Sequence, residues 1–246
     1  MQSALAIIPA RSGSKSIKDK NIVTLAGHPL IAYTIAAAKL TASISRIIVS
    51  TDSEKYAEIA RQYGAEVPFL RPPELSSDDA TDFGFMLHAM NWFDQNEQNT
   101  PELWIHLRPT TPLREPIFIE EALSLIRKTP NATSLRSAYP CASSPYKWFR
   151  HNNEGYLHSI ISEDTDLDKL NFPRQVYPKV YVPDGYVDIV RHSFVTETQT
   201  LHGNKVIGFI SPVCTEVDSK EELRRIEYDM AIYGSRLLDY LNQKAL

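Results

Sequence analysis

Apolar residues recur with two periods along this chain, and the alternation between them predicts most of its elements. Leu5-Ala-Ile-Ile-Pro9 is a continuous apolar run suited to a strand covered on both faces, and Pro9 ends it. Residues 30–40, apolar and alanine-rich at 3.6-type spacing, predict a helix. Arg46-Ile-Ile-Val-Ser50 predicts a second buried strand, followed by a helix over 53–63 with Asp52 or Ser53 at its N-cap and Gly64 as its stop. Next come a short strand over 66–69, a proline- and acid-rich loop over 71–80, a helix over 81–93 and a buried strand over 103–107. Residues 108–114 form a double-proline turn into a helix over 117–128.

Strand, loop and helix thus follow one another three times, which implies right-handed βαβ units and a doubly wound, mostly parallel α/β sheet. Ligands of such sheets bind at the carboxyl ends of strands, where the unusual loops fall. A further strand is predicted over 132–137. From 139 to 183 the alternation gives out in a stretch rich in Pro, Tyr, Asn and charge. That is too long for an ordinary connection, so it reads as an excursion inserted within a single 246-residue domain. Strands over 185–190 and 205–210 restore the pattern. The last helix, over 219–241, carries a capping box in Ser219 and Glu222.

Composition narrows the function more than the fold. With 43% hydrophobic residues the chain can bury a substantial core without disulfides or metal clips, and a net charge of −4 gives no general attraction to nucleic acid or anionic membrane. Cys141 and Cys214 have no metal-ligand spacing and read as reduced thiols. There is no leader-like start and no run near the ~18 apolar residues of a membrane span, so a cytoplasmic protein is expected. Against this acidic background, Arg11, Lys15, Lys18 and Lys20 put four cations within ten residues around Ser12, Gly13 and Ser14. Small residues let backbone N–H groups approach oxyanions, so phosphate is the expected guest. Neither the Walker A spacing nor Gly-x-Gly-x-x-Gly occurs, which argues against a nicotinamide enzyme.

Arg71, Arg108 and Arg114 stand in proline-stiffened loops, where a fixed guanidinium can grip a carboxylate or phosphate; each can equally cap a helix or pair with Glu115 or Asp78. Glu216 and Asp218 lie on one side of an extended segment before the last helix, a pattern open to Mg2+, although acidic residues favour helix starts in any case. His88 and His106 read as structural, and no Ser-His-Asp or Cys-His arrangement can be drawn.

Five stretches in order resemble one family, the cytidylyltransferases that activate sialic and related nonulosonic acids as CMP-sugars. They are Ile8-Pro-Ala-Arg-Ser-Gly-Ser-Lys15 through Lys20-Asn21, Ile47-Ile-Val-Ser-Thr-Asp52, Arg71-Pro-Pro-Glu-Leu-Ser-Ser-Asp78, Arg108-Pro-Thr-Thr-Pro-Leu-Arg114 and Pro183-Asp-Gly185. The resemblance implies a nucleotidyltransferase in which the sugar's anomeric hydroxyl attacks the α-phosphorus of CTP and pyrophosphate leaves. It assigns CTP to Arg11, Ser12, Gly13, Ser14, Lys15, Lys20 and Asn21, with Arg11 and Lys20 catalytic, and base or phosphate contacts to Arg71 and Thr81. It assigns the acceptor to Arg108, Arg174, Gln175, Asp184, Tyr186 and Asp188, with Arg174 on the carboxylate. Mg2+ is implied at Asp218, with Glu216 standing where an Asp is usual.

The chain departs from the pattern in its first loop, Lys15-Ser-Ile-Lys18 for Lys-Gly-x-Pro. Arg108 stands where sialate enzymes usually have Gln, and Asp184-Gly-Tyr-Val-Asp188 replaces their Asn-Gly-Ala-Ile-Tyr. These departures point to a legionaminate-type bacterial acceptor. The implied partners are CTP and a nonulosonic sugar acid, without nucleic acid or membrane, in a homodimer formed through 139–183. Alternatives are the same chemistry on another sugar acid or a sugar-alcohol phosphate, and a non-catalytic nucleotide-binding protein.

Overall fold

The structure, a computed structural model, describes residues 4–162 and 166–244. It divides into two compact units, Met1–Ser137 with Gly185–Leu246, and Ala138–Asp184.

In the first unit β1 (Ala4–Pro9) is buried throughout except for Pro9, as its unbroken apolar run requires. A two-residue hairpin, β2 (Thr24–Leu25) and β3 (His28–Pro29), follows its loop and turns through Ala26 and Gly27 at φ 45° and 90°. The sequence reading passed over this turn. Then come α1 (Leu30–Lys39), β4 (Ile44–Ser50), α2 (Glu54–Gln62), α3 (Asp82–Asn96), β5 (Leu103–His106), α4 (Pro116–Lys128) and β6 (Ser134–Pro140). The chain passes through the second unit, whose hairpin is β7 (Phe149–His151) with β8 (Leu157–Ser159). It re-enters the first unit along β9 (Tyr181–Arg191), then forms α5 (His192–Thr198), β10 (Val206–Ile210), α6 (Lys220–Tyr233) and α7 (Arg236–Lys244).

The main sheet has the order β10-β6-β9-β5-β1-β4. β1 pairs in parallel with β4 and with β5, setting Ile7 beside Ile48 on one side and His106 on the other. β9 runs antiparallel to β5 and brings Asp188 opposite His106. Successive β1 side chains enter different cores: Ala6 and Ile8 join α1 and α4, whereas Leu5 and Ile7 join Phe85, Met90 and Phe93 of α3 and Trp104. Both faces are therefore covered, the condition that lets a strand be apolar at every position.

Two local expectations are corrected. The segment 66–69 contributes only a bridge from Glu66 to Ile48, because Pro68 interrupts any ladder. The final helix is two helices: Gly234 sits at φ 75° and ψ 170°, a conformation that ends α6 before α7 begins. Its start is as expected, with Ser219 Oγ accepting from Glu222 N and Glu222 Oε2 accepting from Ser219 N at 2.7 Å. Helix α5 was not foreseen. Among the described residues no helix is long and apolar enough to cross a membrane.

Candidate active site

The loop after β1 stays tied to the sheet, since Ala10 N donates to Ser50 O at 2.9 Å. Beyond it the chain turns through Gly13 at φ 74°, a left-handed conformation that a side chain would strain. Asn21, 93% buried, donates to Arg11 O at 3.0 Å and closes the loop on itself. Ser12 gives both its N–H and its hydroxyl to Asp52, at 2.7 and 2.6 Å. These bonds fix a loop that would otherwise have no ladder to hold it.

Arg11, Ser14, Lys15, Lys20 and Asn21 line a cleft of about 560 Å3 together with Arg71, Asp78, Thr81, Asp82 and Arg108. The cleft's cations already hold carboxylates of this chain. Arg11 lies 2.9 Å from Asp78, and Lys15 pairs with the other oxygen of the same carboxylate. Lys15 first, and Arg11 after it, keep Asp78's carboxyl below its ordinary pKa. Lys20 lies 2.9 Å from Asp218, whose side chain is 65% exposed.

Arg71 is 95% buried, with its Nε on Ser50 Oγ at 3.0 Å, a terminal nitrogen on Ser50 O at 2.6 Å, and its guanidinium over the Phe85 ring. Burial lowers its pKa to about 10, so it remains a cation at neutral pH. Arg108 reaches Asp82 at 2.6 Å and Asp188 at 3.3 Å; Asp188, 98% buried, also receives Arg136 at 3.4 Å. Burial works to lower the Arg108 pKa, but the two carboxylates outweigh it and raise it. Burial likewise opposes ionisation of Asp82, and the positive charge around it still holds its pKa down. The result is a cleft with phosphate-ready cations on one side and a charge-balanced Arg108 on the other.

Residues 5–153 match the family described as cytidylyltransferase. The chain belongs to the cytidylyltransferase family. It is 33% identical, over 93% of its length and 51% of the other's, to an N-acylneuraminate cytidylyltransferase of Escherichia coli. It is 39% identical, over 59% of its length and 61% of the other's, to a CMP-N,N'-diacetyllegionaminic acid synthase of Legionella pneumophila. It thus spans between half and two thirds of the length of these curated relatives. Among solved structures, a CMP:2-keto-3-deoxy-manno-octonic acid synthetase complexed with CTP matches its fold with a TM-score of 0.68 at 16% identity, covering 93% of this chain and 98% of that one.

Other expected site residues have structural employment. Arg114 has no exposed surface and donates to the carbonyls of Arg108, Gly185 and Tyr186 and to Thr34 Oγ1, so no ligand reaches it. Tyr186 is 99% buried, and its hydroxyl accepts from Glu115 N at 2.7 Å at the start of α4. The phenol expected against the acceptor therefore packs within the core instead. Asp188 serves as the buried counterion described above. Arg174 and Gln175 belong to the second unit, where they line a cavity of about 540 Å3 with Tyr177 and Tyr181, and Arg174 donates to Cys141 O at 2.5 Å. Asp184 closes that unit.

Glu216 and Asp218 have different surroundings. Glu216 Oε1 accepts from Gly185 N at 2.7 Å, while Asp218 faces Lys20. Among the described residues no three His, Cys, Asp or Glu side chains converge on a common point. An exposed carboxylate beside a phosphate-ready lysine nonetheless fits Mg2+, which takes one or two protein carboxylates and completes its shell with phosphate oxygens and water. Asp52, Asp78, Asp82 and Arg136 were missed as parts of this site. The acid-rich run Ser76-Ser-Asp-Asp79 preceding a helix was the available signal for Asp78. For Asp52 and Arg136 only the sheet order brings the partners together.

Proposed function

We propose that this chain joins CTP to a nonulosonic sugar acid, giving the CMP-sugar and pyrophosphate. The observation that carries the reading is the single cleft in which Arg11, Lys15 and Lys20 face Arg71 and Arg108. The names of the curated relatives support the substrate class. In this reading the phosphates replace Asp78 and Asp218 as partners of the three loop cations. Arg11 and Lys20 hold the triphosphate and offset the charge that builds as the anomeric oxygen bonds to the α-phosphorus and pyrophosphate departs in line. Arg71, pinned to Ser50, forms the fixed floor of the nucleotide subsite, and Thr81 borders it at the start of α3. Mg2+, held by Asp218, would supply a Lewis acid for the phosphate oxygens. The proposed compartment is the cytoplasm, where CTP is made.

The acceptor is proposed to be of the legionaminate type. The neutralised Arg108 in the cleft and the 39% identity to a CMP-N,N'-diacetyllegionaminic acid synthase support this. Pyrophosphate release measured with each of the four nucleoside triphosphates and a panel of sugar acids tests it. Turnover only with CTP, and highest with a diacetamido nonulosonic acid, is expected; turnover only with a phosphorylated sugar alcohol would replace the reading.

We also propose a homodimer through the second unit. That unit of fewer than fifty residues exposes Tyr156 at 67%, Val176 at 65%, Phe172 at 53% and Ile161 at 52%. So much exposed apolar surface on so small a unit marks a protein–protein contact. Sedimentation at working concentration should give twice the chain mass, and a monomer would refute the dimer.

A further inference from the structure

We infer that Glu216 is a positioning residue, which joins the segment bearing Asp218 to the turn beneath Arg108, and does not ligate the metal. The inference rests on the reading of this cleft as a metal-assisted nucleotidyltransferase site. It begins with Gly185, whose peptide groups are both held by side chains. Its N–H goes to Glu216 Oε1 at 2.7 Å, and its carbonyl accepts from Arg114 at 2.7 Å and Thr111 Oγ1 at 3.3 Å. The fit is close: a Cβ at Gly185 would lie 3.1 Å from Glu216 Oε1 and 3.2 Å from Arg108 Cδ. Glu216 therefore bears on the stem of Arg108 through a single residue.

The other end of the connection is equally fixed. Val217 is fully buried, and its N–H donates to Thr110 O at 2.8 Å. Glu216 and Val217 thus clamp the segment from two sides to the 108–114 loop and to β9. Asp218, the next residue, is presented to Lys20 at 2.9 Å. Alternation along an extended segment allows this division of labour, in which the Val217 side chain enters the core while its neighbours point away from it. The Glu216 oxygen is committed to a backbone amide, a bond that needs an acceptor but not a negative charge. A carboxylate that ligated Mg2+ would add its charge to the bond, so losing that charge would weaken the metal.

Glu216→Gln keeps the acceptor and removes the charge, Glu216→Ala removes both, and Asp218→Asn strips the carboxylate facing Lys20. Mn2+ binding to the full chain with CTP, followed by electron paramagnetic resonance, is the readout that does not depend on turnover. Pyrophosphate release with CTP and a nonulosonic acid gives kcat and KM. Glu216→Gln should bind Mn2+ within about twofold of the parent and retain turnover within about threefold, because a neutral acceptor still holds the amide. Glu216→Ala should keep Mn2+ affinity within a similar range but lose about tenfold or more in kcat at little cost in KM for CTP, as misplacement of reacting groups does. Asp218→Asn should lose Mn2+. If Glu216→Gln weakened Mn2+ as strongly as Asp218→Asn, or if Glu216→Ala turned over like the parent, the inference would be overturned. If no sugar acid were turned over even by the parent chain, the functional reading would fail, and the Mn2+ comparison would still decide the role of Glu216.

Discussion

Three arginines in proline-stiffened loops meet three fates, and burial separates them. Arg71 lines the cleft with its guanidinium pinned by Ser50. Arg108 lines it while balanced by Asp82 and Asp188. Arg114 never reaches it, and burial, helped by the charge of Arg108, drives its pKa down to about 10. Arg114→Met should fill much the same volume but remove an Arg114 donor from the carbonyls of Arg108, Gly185 and Tyr186, of which the first keeps Thr34 Oγ1 and the second Thr111 Oγ1. An unpaired buried acceptor costs roughly 1–3 kcal/mol, so a loss of about that size is expected in urea unfolding; an unchanged midpoint would show that these carbonyls do not need Arg114. Nothing in the chain's spacing predicts these fates, because each arginine stands within two residues of a proline in a loop. The cations of the first loop were legible because they cluster locally. That they pair with Asp78 and Asp218 was not, since the partners lie far apart in the chain, Lys20 and Asp218 by 198 residues.

At the scale of elements, the first loop and the acid-bearing 71–80 segment neutralise one another across the cleft. Asp78→Asn should free Arg11 and Lys15 for phosphate. Exposed pairs of this kind are worth little individually, so CTP affinity should rise by about two- to fivefold, with Asp79→Asn as the unaffected control, in a calorimetric titration. A weaker affinity in Asp78→Asn would mean that the carboxylate helps to hold the nucleotide. The long strands and helices were legible because their apolar periods are unbroken. The short hairpin of β2 and β3, the bridge at Glu66 and the seven-residue α5 were not, since two to seven residues carry no period. The break between α6 and α7 had its sign in Gly234 alone, against apolar spacing that runs on through it.

For the whole molecule, the buried histidines set a pH dependence. His106, 98% buried beside Phe85 with no partner for Nε2 among the described residues, has its pKa lowered by burial from 6.5 to about 4. Burial lowers those of His88 and His202 as well. A folded-state pKa below the unfolded one means that the unfolded chain binds more protons between the two values. Stability from His106 is therefore complete above pH 6.5 and lost as pH falls toward 4, with a slope of at most about 1.4 kcal/mol per pH unit. Urea midpoints should fall from pH 7 to pH 4.5, and His106→Asn should flatten that fall; a parent midpoint indifferent to pH over this range would contradict the burial argument.

The chain leaves the first unit along β6 and returns along β9, its neighbour in the sheet, and Val187 N donates to Ser137 Oγ at 2.9 Å where the two strands meet. An insertion whose ends lie side by side can be lengthened, shortened or exchanged without re-threading the sheet. Descent could therefore replace the contiguous segment carrying Arg174 and Gln175 as one cassette, while the loop after β1 is inherited unaltered. Under the proposed function, a lineage built in this way would diversify its sugars faster than its nucleotide.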